Sequence, residues 1–155
     1  MIIIIKIFDN NNYMSYTEIL PNIWLCDFET ANNKQFVIEH SIKIIFNCSK
    51  NLPFVDIVNI KKYRLSVDDS GSENDIDDMI EGLPKMINLL HLAYLYSIPT
   101  IVFCFKGRQR SATLIAAFLI KYTNISWKNS IKIIQTKKPL AFKPQINFAK
   151  SLIKY

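Results

Sequence analysis

The chain has 155 residues, 50% of them hydrophobic and 21% charged, which is the composition of one ordinary globular domain rather than of a disordered segment. Its three cysteines, Cys26, Cys48 and Cys104, are far apart and odd in number, which argues against a secreted disulfide framework, and no Cys-x-x-Cys or paired-histidine pattern offers a metal site. A formal charge of +6 favours acidic partners such as phosphoprotein segments, nucleic acid or an anionic membrane face, without choosing among them.

The opening run Met1-Ile2-Ile3-Ile4-Ile5 is too short to span a bilayer and lacks a signal-peptide cleavage pattern, so an intracellular, cytoplasmic protein is expected. Asp9-Asn10-Asn11-Asn12 sets that run apart, which divides the chain into an N-terminal extension or strand over 1–15 and a body over 16–155. Residues 19–25 read as two extended pieces around a turn. Residues 30–40 read as a helix, with Ala31, Phe36, Val37 and Ile38 as its apolar members. A buried strand over 42–48 follows, Asn51-Leu52-Pro53 breaks it, and 57–67 is extended again.

Residues 68–75 form an acidic loop, in which Ser72 and Asp75 have the spacing of a helix cap. The next helix is expected over 76–95, with Ile80, Leu83, Met86, Ile87, Leu90 and Tyr94 on one face. A short apolar strand over 98–103 precedes a core helix over 112–120, which Asn124 ends. Ser126 starts another helix reaching about Thr136. Pro144 is expected to open a final one carrying Ile146, Phe148, Leu152 and Ile153. This order predicts an α/β sandwich: a short, mostly parallel central sheet flanked by helices, with a helical C-terminal half. His40, His91, Trp24, Trp127 and Cys26 carry no pattern beyond structural use.

The informative stretch is Phe103-Cys104-Phe105-Lys106-Gly107-Arg108-Gln109-Arg110-Ser111, between the 98–103 strand and the 112–120 helix. A strand that delivers a tight loop to a helix N-terminus makes an anion site, because free amides and the helix dipole converge there. A cysteine facing that site is favoured as thiolate. An arginine closing the loop can clamp two phosphate oxygens with its planar fork.

Cys104, Gly107, Arg110 and Ser111 resemble the His-Cys-x-x-Gly-x-x-Arg-Ser/Thr phosphate-binding loop of cysteine-dependent protein phosphatases, with Phe103 where that family has histidine. The likeness covers roughly 16–155. Ile19-Leu20-Pro21-Asn22-Ile23-Trp24-Leu25 is similar to the opening hairpin of dual-specificity phosphatases, and residues 42–47 to their buried strand ending in Asn. Leu65-Ser66-Val67-Asp68-Asp69 is similar to the strand that runs into their general-acid loop. Lys137-Lys138-Pro139 and the 142–148 segment resemble their ending, although Gln145 stands where they have Asn.

The resemblance implies a single-domain protein tyrosine phosphatase-like fold without a cofactor or metal, acting on phosphorylated proteins. Cys104 is then the nucleophile. The amides of Phe105, Lys106, Gly107, Arg108, Gln109 and Arg110, with the Arg110 guanidinium, hold the phosphate oxygens. Asp69 is the general acid, with Asp68 as the alternative. Ser111 serves either the leaving sulfur or merely the helix N-terminus, and Lys106 and Arg108 are either a solvated rim or contacts for a second acidic group. Cys48 is either a buried small hydrophobe or a redox partner of Cys104. The expected reaction is hydrolysis of phosphotyrosine, and of phosphoserine and phosphothreonine, through a phosphocysteine. The alternatives are a phosphoinositide or RNA 5′-phosphate phosphatase, favoured by the basic loop, and a feeble or inactive pseudophosphatase, favoured by Phe103.

Overall fold

The computed structural model describes residues 15–155, so the extension expected over 1–15 lies almost wholly outside the described residues. Five strands, β1 (Tyr16–Leu20), β2 (Ile23–Cys26), β3 (Ile44–Asn47), β4 (Lys61–Arg64) and β5 (Thr100–Phe103), form one sheet in the order β1-β2-β5-β3-β4. Among the described residues only the β1–β2 hairpin is antiparallel. Asn22 sits in its turn at φ 66°, a conformation Asn tolerates better than most residues.

Helices α1 (Phe28–Ala31) and α2 (Lys34–Glu39) cover one face of the sheet; α3 (Glu73–Leu95), α4 (Arg110–Thr123), α5 (Trp127–Lys137) and α6 (Ala149–Ile153) cover the other. The period of two along the strands builds both cores. Ile44, Phe46 and Val102 join the larger core with Leu83, Leu90 and Leu114, whereas Ile45, Ile101 and Phe103 join Phe36 and Val37 on the opposite face. Helix α4 is buried on every side from Ser111 to Ile120, as a stretch this apolar must be. Asn124 stops it in the left-handed conformation at φ 54°.

Several elements differ from the sequence expectation, each for a local reason. The 30–40 helix is two short helices, because Asn33 turns the chain and caps α2 by accepting from Phe36 N at 2.9 Å. The 57–67 stretch contracts to the four-residue edge strand β4. Ser72 caps α3 as expected, accepting from Asp75 N at 3.3 Å, but the helix begins at Glu73. The inward stripe of α3 includes Met79 and Ala93; Ile80 is half-buried and Tyr94 exposed.

Helix α6 begins only at Ala149, so Pro144, Ile146 and Phe148 precede it, and Ile153 is exposed. Residues 143–147 are drawn instead into hydrogen bonds with Gln109. Among the described residues no helix is long and apolar enough to cross a membrane.

Candidate active site

Parallel strands β2, β5 and β3 lie side by side with Cys26, Phe103 and Asn47 level with one another. The chain leaves β5 at Cys104 and enters α4 at Arg110, so the loop between them sits at the carboxyl edge of the sheet, where open α/β sheets commonly place ligands. Neighbouring backbone fixes the loop from two sides. Phe28 N donates to Phe105 O at 3.0 Å, and Phe142 N donates to Arg108 O at 2.8 Å. Gly107 adopts φ 65°, and a Cβ there would lie 2.6 Å from the carbonyl carbon of Cys26. Glycine is therefore required by both conformation and space.

Cys104 is buried, and its Sγ lies 3.1 Å from Ser111 Oγ on the first turn of α4. The Arg110 side chain lines the cavity and donates from Nη1 to Val67 O at 3.1 Å. Its Nε is shielded from solvent with no protein acceptor, which leaves a donor to offer an oxyanion. A cavity of about 360 Å³ opens above the sulfur, with Lys106, Arg108, Arg110 and Lys143 among its walls. Asp69 is the carboxylate lining it. The concentration of cations suits a multiply charged anion.

Asp69 and Asp68 are separated by their partners. Asp69 Oδ1 accepts from Asn147 Nδ2 at 2.8 Å. Asp68 faces the other way, 3.9 Å from Lys50 Nζ, which also pairs with Asp78 at 2.8 Å. The loop after Asp69 is tied down by Asp75, whose Oδ2 accepts from Ser70 N at 2.7 Å and from Ser70 Oγ at 2.6 Å. Burial alone would raise the Asp75 carboxyl, but the Ser70 and Ser72 hydrogen bonds outweigh it and hold the group below its ordinary range.

Cys48 lies beside Cys104: its backbone N donates to Phe103 O at 2.8 Å, and both side chains belong to the α4-side core. Burial pushes the Cys48 thiol well up, Cys104 adds to the rise, and Arg110 partly offsets it. Cys26 belongs to the opposite core and is likewise pushed up by burial. Phe103 also faces that side, where its ring packs 6.4 Å from Phe28 and 6.5 Å from Phe54.

The structure thus brings Cys104, Phe105, Lys106, Arg108, Gln109, Arg110 and Asp69 around one cavity, with Ser111 against the sulfur and Gly107 in the loop wall. Sequence reasoning missed Asn147, Lys143 and the side chain of Gln109. Gln109 donates from Nε2 to Gln145 O at 2.7 Å and accepts from Asn147 N at 3.2 Å through Oε1, joining the loop to the segment that presents Asn147.

The family model described as the dual specificity phosphatase catalytic domain matches residues 23–155. The chain belongs to that family. This dual specificity phosphatase domain is 27% identical over 140 residues to Dual specificity protein phosphatase 8 of Mus musculus, covering 90% of this chain and 20% of that protein. Against Dual specificity protein phosphatase 6 of Homo sapiens the identity is 28% over 140 residues, covering 89% of this chain and 35% of that protein. The chain therefore spans between a fifth and about a third of the length of these relatives. Among solved structures, human DUSP28 superposes with a TM-score of 0.77 at 20% identity, covering 90% of this chain and 91% of that one, so the fold is shared.

Proposed function

We propose that the phosphatase domain over residues 16–155 hydrolyses phosphate monoesters on phosphorylated proteins, phosphotyrosine and also phosphoserine and phosphothreonine, through a phosphocysteine intermediate. The observation that carries this reading is the position of Cys104 Sγ at the base of a cationic cavity that Asp69 and Arg110 also line.

In the first step the Cys104 thiolate attacks phosphorus; an S–P bond forms as the P–O bond to the leaving group breaks. Asp69 gives its proton to the departing oxygen. The loop amides and the Arg110 guanidinium hold the three non-bridging oxygens through the transition state. In the second step Asp69, now a carboxylate, takes a proton from water as that water attacks the phosphocysteine. Inorganic phosphate leaves and the thiolate is regenerated. Ser111 Oγ, 3.1 Å from the sulfur, donates to the thiolate as it departs. Hydrolysis of an aryl phosphate by the purified protein, compared with Cys104→Ser and Asp69→Asn, tests the reading; equal rates in all three would end it.

A second reading is favoured by Lys106, Arg108 and Lys143 at the cavity mouth: a substrate carrying further anionic groups, such as a phosphoinositide or an RNA 5′-phosphate end. Relative rates on phosphopeptides, inositol lipids and 5′-triphosphorylated RNA separate the two.

A further inference from the structure

Gln109 stands in the phosphate loop, but both ends of its side-chain amide are taken up by a segment more than thirty residues further along the chain. It is only 7% exposed. Its Nε2 donates to Gln145 O at 2.7 Å and, at a longer 3.4 Å, to Lys143 O, while its Oε1 accepts from Asn147 N at 3.2 Å. A primary amide offers the donor and acceptor of a peptide unit, so this one side chain does for residues 143–147 what a neighbouring strand does elsewhere.

That service is needed where it falls. Residues 143–147 lie outside helix and strand, so no ladder of backbone bonds places Asn147. The segment is anchored before and after: Phe142 N donates to Arg108 O at 2.8 Å, and Phe148 is buried in the core. Between those anchors Gln109 fixes the backbone at 145 and at 147. Asn147 Nδ2 in turn donates to Asp69 Oδ1 at 2.8 Å, on the surface, where water competes for both groups. Such a bond holds when its partners are placed in advance, because ordering a loose side chain would cost most of what the bond returns. The residue after Gln109 grips the same acidic loop two residues earlier, through Arg110 Nη1 to Val67 O at 3.1 Å.

We propose that Gln109 is a positioning residue for Asp69, acting through the backbone and side chain of Asn147, so that the loop holding the phosphate also sets where the proton donor stands. The inference deepens the phosphatase reading and rests on its assignment of Asp69 as the general acid. One arm of its test needs no turnover.

That arm is 15N NMR of the Asn147 side-chain amide across the pH range in which Asp69 titrates, in the wild-type chain and in Gln109→Met, which keeps the length of the side chain and removes both polar ends. The wild-type amide shift is expected to follow the Asp69 titration, and Gln109→Met to lower the amplitude of that response at least about twofold. An amplitude that Gln109→Met leaves unchanged, or a wild-type amide that ignores Asp69, overturns the proposal.

The second arm is kinetic. Gln109→Met is expected to lower turnover about three- to tenfold on phenyl phosphate, whose leaving group needs a proton, and to stay within about twofold on p-nitrophenyl phosphate. Inhibition by inorganic phosphate should also stay within about twofold, and in an Asn147→Ala chain the same substitution should add less than about twofold. Equal losses on the two esters, weaker phosphate binding, or a full further loss in Asn147→Ala would assign Gln109 to the shape of the phosphate loop and overturn the proposal. If Gln109→Met does not fold, the same readings are taken from Gln109→Glu, which keeps an acceptor for Asn147 N and sets an oxygen against Gln145 O. A chain that shows the NMR dependence but hydrolyses neither ester keeps the linkage from Gln109 to Asp69 and loses the phosphatase reading.

Discussion

Asn147 Nδ2 donates to Asp69 Oδ1 at 2.8 Å, which fastens the acidic loop to the segment ahead of α6. The bond fastens Asp69 on the cavity wall, whereas Asp68, absent from that wall, lies 3.9 Å from Lys50 Nζ. Asp69→Asn is therefore expected to lower turnover about 100-fold on phenyl phosphate, whose leaving group needs a proton, and less on p-nitrophenyl phosphate. Asp68→Asn should stay within about twofold, an exposed ion pair being worth little. Asn147→Ala should fall between them, at about three- to tenfold, from loss of one charge-assisted hydrogen bond. Steady-state rates on the two esters check all three; a larger loss in Asp68→Asn than in Asp69→Asn would reverse the assignment.

Gly107 has no tolerable substitute. Alanine would have to hold φ near 65° and place its Cβ 2.6 Å from the Cys26 carbonyl carbon, which is β2 backbone and cannot swing aside. Gly107→Ala is expected to cost about 1–3 kcal/mol from the backbone conformation alone and to abolish detectable turnover. Thermal denaturation and an aryl phosphate assay read the two effects separately.

Phe103 occupies the family's histidine position, but its ring is fully buried between Phe28 and Phe54. Phe103→His is expected to raise turnover on an aryl phosphate by restoring a donor to the loop backbone. The imidazole enters an apolar pocket, so stability should fall by about 1–3 kcal/mol. A stable variant with unchanged or lower turnover would show that the loop is already compensated.

How much of this was legible in the sequence divides by range. The elements set by neighbouring residues were readable: Ser72 and Ser126 cap the helices they precede, Asn124 ends α4, and the 98–103 strand feeds the cysteine loop. So were Cys104, Ser111 and Arg110, which share one loop and helix start. Asn147 meets Asp69 across 78 residues of chain, and no periodicity encodes that pairing. The final helix was overestimated because Pro144 reads as a helix start, whereas the long-range bonds from Gln109 hold the following residues out of helix. The split between α1 and α2 turned on Asn33, whose side chain competes for the backbone amides.

Cys48 belongs to the same core as Cys104, and as a proposal beside its packing role it serves as a redox partner through a disulfide: peroxide would oxidise Cys104 to a sulfenic acid, and the Cys48 sulfur would displace its hydroxyl as water. Because burial pushes the Cys48 thiol well up, the bond should form slowly at neutral pH and faster as pH rises. Non-reducing peptide mapping after peroxide treatment is expected to recover the Cys48–Cys104 pair. Recovery of Cys104 sulfinic acid alone would leave Cys48 as core packing.

The most direct measurement is rapid quenching of the protein with an aryl phosphate, followed by mass spectrometry of the peptide containing Cys104. A phosphate adduct on Cys104, formed within one turnover and absent in Cys104→Ser, is the expected result. Hydrolysis that continues in Cys104→Ser, or turnover in the wild type with no adduct on that sulfur, would contradict it.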